Sequence, residues 1–199
     1  MSGKIITISR QFGSGGRTVG RMVADRLNLK CYDREIIQKI AEKSGFAEDY
    51  ITDTSEYVDD TGFFGALGGL DFYGHSNHIT IWTEQCEILK KIADEGPCVI
   101  VGRCADYVLK EYHKDLLKCF IYADMDSRAE RIVRQYGESD VNPKKRLKDK
   151  DKRRAAYYDI YTDQTYGDPV NYDLCLNTGT LGIEQCADII VETYQNFVS

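Results

Sequence analysis

Residues 5–18 read Ile-Ile-Thr-Ile-Ser-Arg-Gln-Phe-Gly-Ser-Gly-Gly-Arg-Thr. An apolar, β-branched run ends in a glycine-rich turn. The turn opens directly into Val19-Gly20-Arg21-Met22-Val23-Ala24-Asp25-Arg26-Leu27, whose apolar positions recur at helical spacing. Strand, glycine turn and helix N-terminus together make an anion site, because consecutive backbone N–H groups converge where the helix dipole adds partial positive charge. A phosphate is the expected guest. The P-loop pattern G-x-x-x-x-G-K-[ST], laid on Gly16-Arg17-Thr18, puts Gln11 at its first glycine and Arg17 at its lysine.

Working outward, strand signals fall at 4–9, 30–32, 97–102 (Pro-Cys-Val-Ile-Val-Gly), 117–122 and 172–176, and helical patterns at 17–28, 33–44, 80–95, 126–137, 143–160 and 182–197. Strands separated by helices predict a parallel sheet covered on both faces, with ligands at the carboxyl ends of the strands. Residues 45–79 break the alternation. Gly62-Phe63-Phe64-Gly65-Ala66-Leu67-Gly68-Gly69-Leu70 is too rich in glycine for a stable helix, so the stretch reads as an insert over the site or as a long surface loop.

Composition narrows the class. A chain of 199 residues, 42% hydrophobic, can bury a full core as a single domain with a small insert. The net charge of −6 argues against nonspecific nucleic-acid binding. No apolar run approaches the ~20 residues of a membrane span, and the N-terminus lacks the layout of a signal peptide. The seven cysteines form no C-x-x-C pair and are odd in number, which predicts buried free thiols in a reducing cytoplasm.

Charge is unevenly spread. From Arg128 to Arg154, eleven Lys/Arg stand against five Asp/Glu. Arg146, Lys150 and Arg154 are spaced i, i+4, i+8, on one face of a helix. Like charges so arranged repel unless an anion neutralises them, which suits a lid at about 138–156 closing on a triphosphate; a solvated lysine helix is the alternative. Arg103, after the apolar run Cys98–Val101, would face the same crevice as the glycine turn and offer a planar fork for a phosphate or carboxylate. Its structural alternative is an ion pair with Asp106 or Asp124.

These residues resemble the bacterial cytidylate kinases and, more closely, their cytidylate-kinase-like relatives, nearly end to end. Ile-Thr-Ile before the glycine loop matches their first strand, and Asp33 resembles the Asp of D-[ST]-G-x-x-Y-R. Gly102-Arg103 is similar to G-R-D, Arg128-Ala129-Glu130-Arg131 to R-A-x-R, and Lys150-Asp151-x-x-Arg154-Ala155 to the lid pattern R-D-x-x-R-A. Residues 172–185 resemble the closing strand, loop and helix. The resemblance implies a three-layer α/β/α P-loop kinase fold on a five-stranded parallel sheet. It implies an ATP- and Mg²⁺-dependent phosphotransferase whose acceptor is a nucleoside monophosphate. On that basis the backbone of Gly13, Ser14, Gly15, Gly16, Arg17 and Thr18 would cradle the ATP phosphates, with Arg17 on the β- and γ-oxygens and the Thr18 hydroxyl on Mg²⁺. Asp33 would orient the acceptor or a metal-bound water. Arg103, with Lys39, would hold the acceptor phosphate, and Arg154, Lys150 and Arg146 would close over the transferred group.

The chain departs from the family pattern where Cys104 replaces the aspartate of G-R-D and Gln38-Lys39 replaces the tyrosine-arginine pair. Those groups contact the acceptor in the family, so an acceptor other than CMP stays open. Two further classes are weighed. One is a nucleotide-binding regulator without turnover, suggested by the altered loop. The other is a dinucleotide-dependent oxidoreductase, disfavoured because Thr18 stands where G-x-G-x-x-G needs glycine. A homodimer through residues 62–73 is compatible with the sequence, as is a lid there.

Overall fold

The computed structural model describes residues 4–48, 51, 77–137 and 142–196. The first strand, β1 (Ile5–Arg10), is buried at every position and lies at the centre of a five-stranded sheet. Its neighbours explain its uninterrupted apolar character. β3 (Cys98–Val101) and β4 (Leu116–Tyr122) pair with it on either side, both parallel, and β2 (Lys30–Tyr32) and β5 (Leu174–Asn177) complete the order β2-β3-β1-β4-β5. A central parallel strand has a helix layer on each face and no solvated side.

The two faces of β1 feed two cores. Ile6 and Ile8 join Val99, Leu117, Cys119 and Ile121 under α1 (Gly16–Leu27), which supplies Val19 and Val23, and α7 (Gly182–Asn196), which supplies Ala187 and Ile190. Ile5, with Cys98 and Ile100, packs instead on α2 (Glu35–Ser44), α3 (Asn77–Asp94) and α4 (Ala105–Lys110) through Ile36, Ile40, Leu89, Ile92 and Leu109. This is the three-layer α/β/α arrangement expected from the alternation. α1 leaves β1 toward β2, while α5 (Met125–Tyr136) leaves β4 toward β5, so the crevice at the carboxyl ends opens beside β1.

Most boundaries agree with the sequence reading to within a few residues. α3 begins at Asn77, three residues before the pattern suggested, so 77–79 belong to a helix rather than to the insert. Residues 49–50 and 52–76, which hold most of the insert, lie outside the described residues, as do 138–141 at the start of the basic segment. α4 is a helix that sequence patterning missed. Six residues are too few to show two apolar repeats. The basic segment from Pro143 is one continuous helix, α6 (Pro143–Tyr161), with Pro143 in its first turn and Asn142 capping it through the Lys144 and Lys145 amides.

All seven cysteines are free thiols. Tyr157 and Tyr161 pack with Trp82, whose ring stacks on Tyr161 at 4.5 Å, and Tyr158 packs with Tyr166, so the tyrosines after the basic run are packing residues.

Candidate active site

The Gln11 amide donates to Ile121 O at 3.0 Å, extending the β1–β4 ladder one residue past β1. Its side-chain Oε1 accepts from the Ala123 amide at 3.3 Å. The side chain that departs from the P-loop pattern is therefore turned toward β4. The chain then doubles back, with the Ser14 amide and Oγ both donating to Gln11 O. Gly13 and Gly15 have φ of +76° and +82°, a conformation that costs glycine little and turns successive N–H groups to one side. Gly15 is the last residue before α1, and the first bond of the helix runs from Val19 N to Gly15 O. The amides of Gly16, Arg17 and Thr18 thus precede the first intrahelical bond and cluster at the positive end of α1.

The carbonyl side of the loop is held from outside. Arg131 Nη1 donates to Gly13 O at 2.9 Å, Arg128 Nη1 to Phe12 O at 3.2 Å, and Thr178 Oγ1 to Ser14 O at 2.6 Å. Asp151 on α6 accepts the Phe12 amide at 2.7 Å and pairs with Arg128. Leu147, fully buried on the same helix, packs so close to Gly13 that a Cβ there would lie 3.0 Å from its methyl carbon. With its carbonyls engaged from α5 and the loop after β5, and its Phe12 amide held from α6, the turn is rigid before any ligand arrives.

Arginines gather beside it. Arg10, Arg103 and Arg154 are each nine-tenths or more buried, and all three line a cavity of about 30 Å³ with Ser9, Gly102, Cys104, Tyr157, Tyr158 and Tyr166. That is about twice the ~10–15 Å³ that one water occupies on the same measure, room for the terminal oxygens of a phosphoryl group. Gly102, Arg103 and Cys104 have φ of +78°, +62° and +52° in succession. Two non-glycine residues in the left-handed region cost on the order of 1–3 kcal/mol each, and such strain gathers at functional sites. The turn is pinned by Gln85 Nε2 donating to Arg103 O at 3.0 Å and by Gly102 N donating to Ile8 O. Arg154 Nη1 and the Tyr166 hydroxyl both donate to Arg10 O, at 3.1 and 2.6 Å. Beneath the cavity, Asp106 accepts from the Ser9 and Tyr158 hydroxyls. Burial raises its carboxyl above the ordinary range, and these two bonds partly offset the effect. Burial likewise raises the Cys104 thiol well above its ordinary value and pushes the Tyr166 phenol up to about 12, so neither ionises near neutrality.

At the rim, Arg17 Nε meets Asp33 Oδ2 at 2.6 Å, with Arg21 3.8 Å from the same oxygen. Asp33 is buried and Arg17 half exposed. Thr18 lies exposed in the first turn of α1. The structure therefore brings the loop, Arg17 and Asp33 together on one side and Arg103 and Arg154 together on the other. Arg146 and Lys150 are half-buried on the helix that carries Arg154. Lys39 is placed elsewhere, in a surface groove between α2 and α3 with Glu42, Lys43 and Glu87. Asp124, offered above as a partner for Arg103, caps α5 by accepting from the Asp126 and Ser127 amides. Sequence reasoning gave no role to Arg10, Arg128, Arg131, Asp151 or Thr178. A lone arginine closing an apolar strand just before a glycine turn was the visible signal for the first.

Comparison with known proteins agrees with this fold. Residues 5–180 match the model of the cytidylate kinase-like family. A cytidylate kinase from Archaeoglobus fulgidus is 28% identical over 96% of this chain and 94% of its own length. A solved structure of an uncharacterized protein from Eubacterium ventriosum superposes with a TM-score of 0.70 at 25% identity, covering 96% of this chain and 98% of that one. Shikimate kinase from Acinetobacter baumannii shares the fold, with a TM-score of 0.56 at 17% identity over 100% and 97% of the two chains. With a rigid glycine loop at the centre of the sheet and buried arginines around it, the chain belongs to the cytidylate kinase-like family and has the fold of the P-loop kinases.

Proposed function

We propose that the chain is an ATP-dependent phosphotransferase, built as one domain, whose acceptor is a nucleoside monophosphate. The observation that carries this reading is that two groups of N–H donors, each suited to an anion, meet at the carboxyl ends of one sheet: the amides before the first bond of α1, and the Arg103 and Arg154 side chains that line one cavity. One phosphate site alone would fit a binding protein. Two side by side are what transfer between phosphates requires, because such transfer depends on positioning and charge neutralisation more than on a strong base.

In this reading the amides from Gly13 to Thr18 hold the ATP phosphates, and Arg103 holds the acceptor phosphate. Arg154, backed by Lys150 and Arg146 on the same helix, lies over the phosphoryl group in flight. Arg17 and Asp33 guard the opening between the sites, where Arg17 reaches the terminal phosphate oxygens and Asp33 orients the acceptor. Among the described residues no cluster of three His, Cys, Asp or Glu could hold a metal ion by itself. The hard oxygen donors of Thr18 and Asp33 fit Mg²⁺, which commonly takes only one or two protein ligands beside the phosphates. When bound there, the ion neutralises charge on the β- and γ-oxygens. No helix among the described residues is long and apolar enough to cross a membrane.

The test is ADP release from Mg·ATP across a panel of nucleoside monophosphates, for the parent and for Arg154→Ala and Thr18→Ala. Each variant is expected to lose about 10²-fold or more in kcat while keeping its fold. ATP binding with no acceptor-dependent turnover would leave a nucleotide-binding regulator instead.

A further inference from the structure

We infer that Arg10 is the buried phosphate-gripping cation of the loop, standing in for the lysine of the P-loop pattern through an exchange of positions with Gly16. The inference rests on the ATP-binding reading above and adds a residue to it.

The backbone gives the register. Gly15, in the left-handed region, is the last loop residue, and Gly16 is the first residue of α1. Laying the second glycine of G-x-x-x-x-G-K on Gly15 places Arg10 at the first glycine and Gly16 at the lysine. Glycine and cation have traded places. The trade is visible in space: a Cβ built on Gly16 would lie 2.5 Å from Arg10 Cβ and 3.0 Å from its Cγ, far inside contact distance. The two positions compete for one volume, so a side chain at either requires glycine at the other.

A second glycine receives the far end of Arg10. A Cβ on Gly102 would fall 1.8 Å from Arg10 Nη1 and 2.8 Å from its Cζ. The arginine runs from the end of β1, across Gly16, to the end of β3, where its guanidinium shares the cavity with Arg103 and Arg154. Its backbone is fixed as well, since its carbonyl is bound by Arg154 and Tyr166. A planar, permanently charged fork threaded past two glycines and 7% exposed is suited to bidentate contact with phosphate oxygens. It enters from the sheet side of the loop, whereas Arg17 lies at the rim against Asp33.

Binding of Mg·ATP and of inorganic tripolyphosphate, measured by titration calorimetry, decides the matter. Arg10→Met keeps the stem between the two glycines and removes the charge. It is expected to fold with a little-changed Tm and to bind both ligands about tenfold more weakly or worse. Arg10→Gly is expected to lose affinity too, Gly16→Lys alone to be damaged by the clash, and the double variant Arg10→Gly/Gly16→Lys to recover most of the parent's affinity. Unchanged binding by Arg10→Met, with only a lowered Tm, would make Arg10 structural and overturn the inference alone. A double variant as weak as Arg10→Gly would overturn the exchange. A parent that binds neither ligand would overturn the ATP reading and this inference with it. Arg10→Met decides the role of the charge even if Arg10→Gly does not fold.

Discussion

Asp151 joins the glycine loop, α5 and α6 through two oxygens, one on the Phe12 amide and one on Arg128. Arg128 has a side chain only 5% exposed, so removing its carboxylate leaves a desolvated charge short of its partner. Asp151→Ala is expected to cost about 2–3 kcal/mol in urea unfolding, and Asp151→Asn, which keeps an acceptor for the Phe12 amide, distinctly less. Asp106 makes a prediction in pH. Its folded carboxyl holds a proton more tightly than the unfolded chain does, so its contribution to stability is largest below the ordinary carboxylate range and declines as pH rises through the elevated value. Relative to the parent, the Tm of Asp106→Asn should therefore rise as pH is raised from the ordinary carboxylate range through the elevated one. A difference that stays constant would contradict the burial effect. Neither residue's part was legible in the sequence, because Asp151 meets Phe12, and Asp106 meets Ser9, only through tertiary contact.

At the scale of elements, α6 is the informative case. Its i, i+4, i+8 cations were readable as one face, but the sequence could not say whether that face met solvent or the loop. The structure shows this helix docked, with Leu147 against Gly13, Asp151 on Phe12 and Arg154 on Arg10 O. The contacts that dock it are an apolar and an acidic side chain as much as a basic one, which charge patterning does not reveal. Leu147→Ala is expected to cost about 3 kcal/mol and to weaken nucleotide binding as the loop loosens, measured by thermal unfolding with and without Mg·ATP. Equal stabilisation of variant and parent by Mg·ATP would show that α6 does not brace the loop. β1 was legible for the opposite reason: its burial on both faces leaves an unbroken apolar run in the sequence. α4 was invisible because it is one and a half turns long and held by its neighbours.

For the molecule as a whole, the sheet order decides what can meet. Arg10, Gly102 and Arg154 are distant in sequence, and only the parallel pairing of β1 with β3 and the docking of α6 bring them around one cavity. Alternation of strands and helices predicted the layers, and the strand end at Arg103 and the basic helix pattern at Arg154 marked two of the arginines that line the cavity. None of these signals found Arg10, whose significance is a packing relation with two glycines rather than a motif. In the proposed reaction two phosphate sites face one another across this end of the sheet, and a phosphoryl group passes between them. ³¹P NMR of the parent with Mg·ATP and a panel of nucleoside monophosphates tests it most directly. ADP and a nucleoside diphosphate appearing in equal amounts, with no free inorganic phosphate, is the predicted result. ADP with inorganic phosphate alone, or no change in the ATP signals with any acceptor, would contradict it.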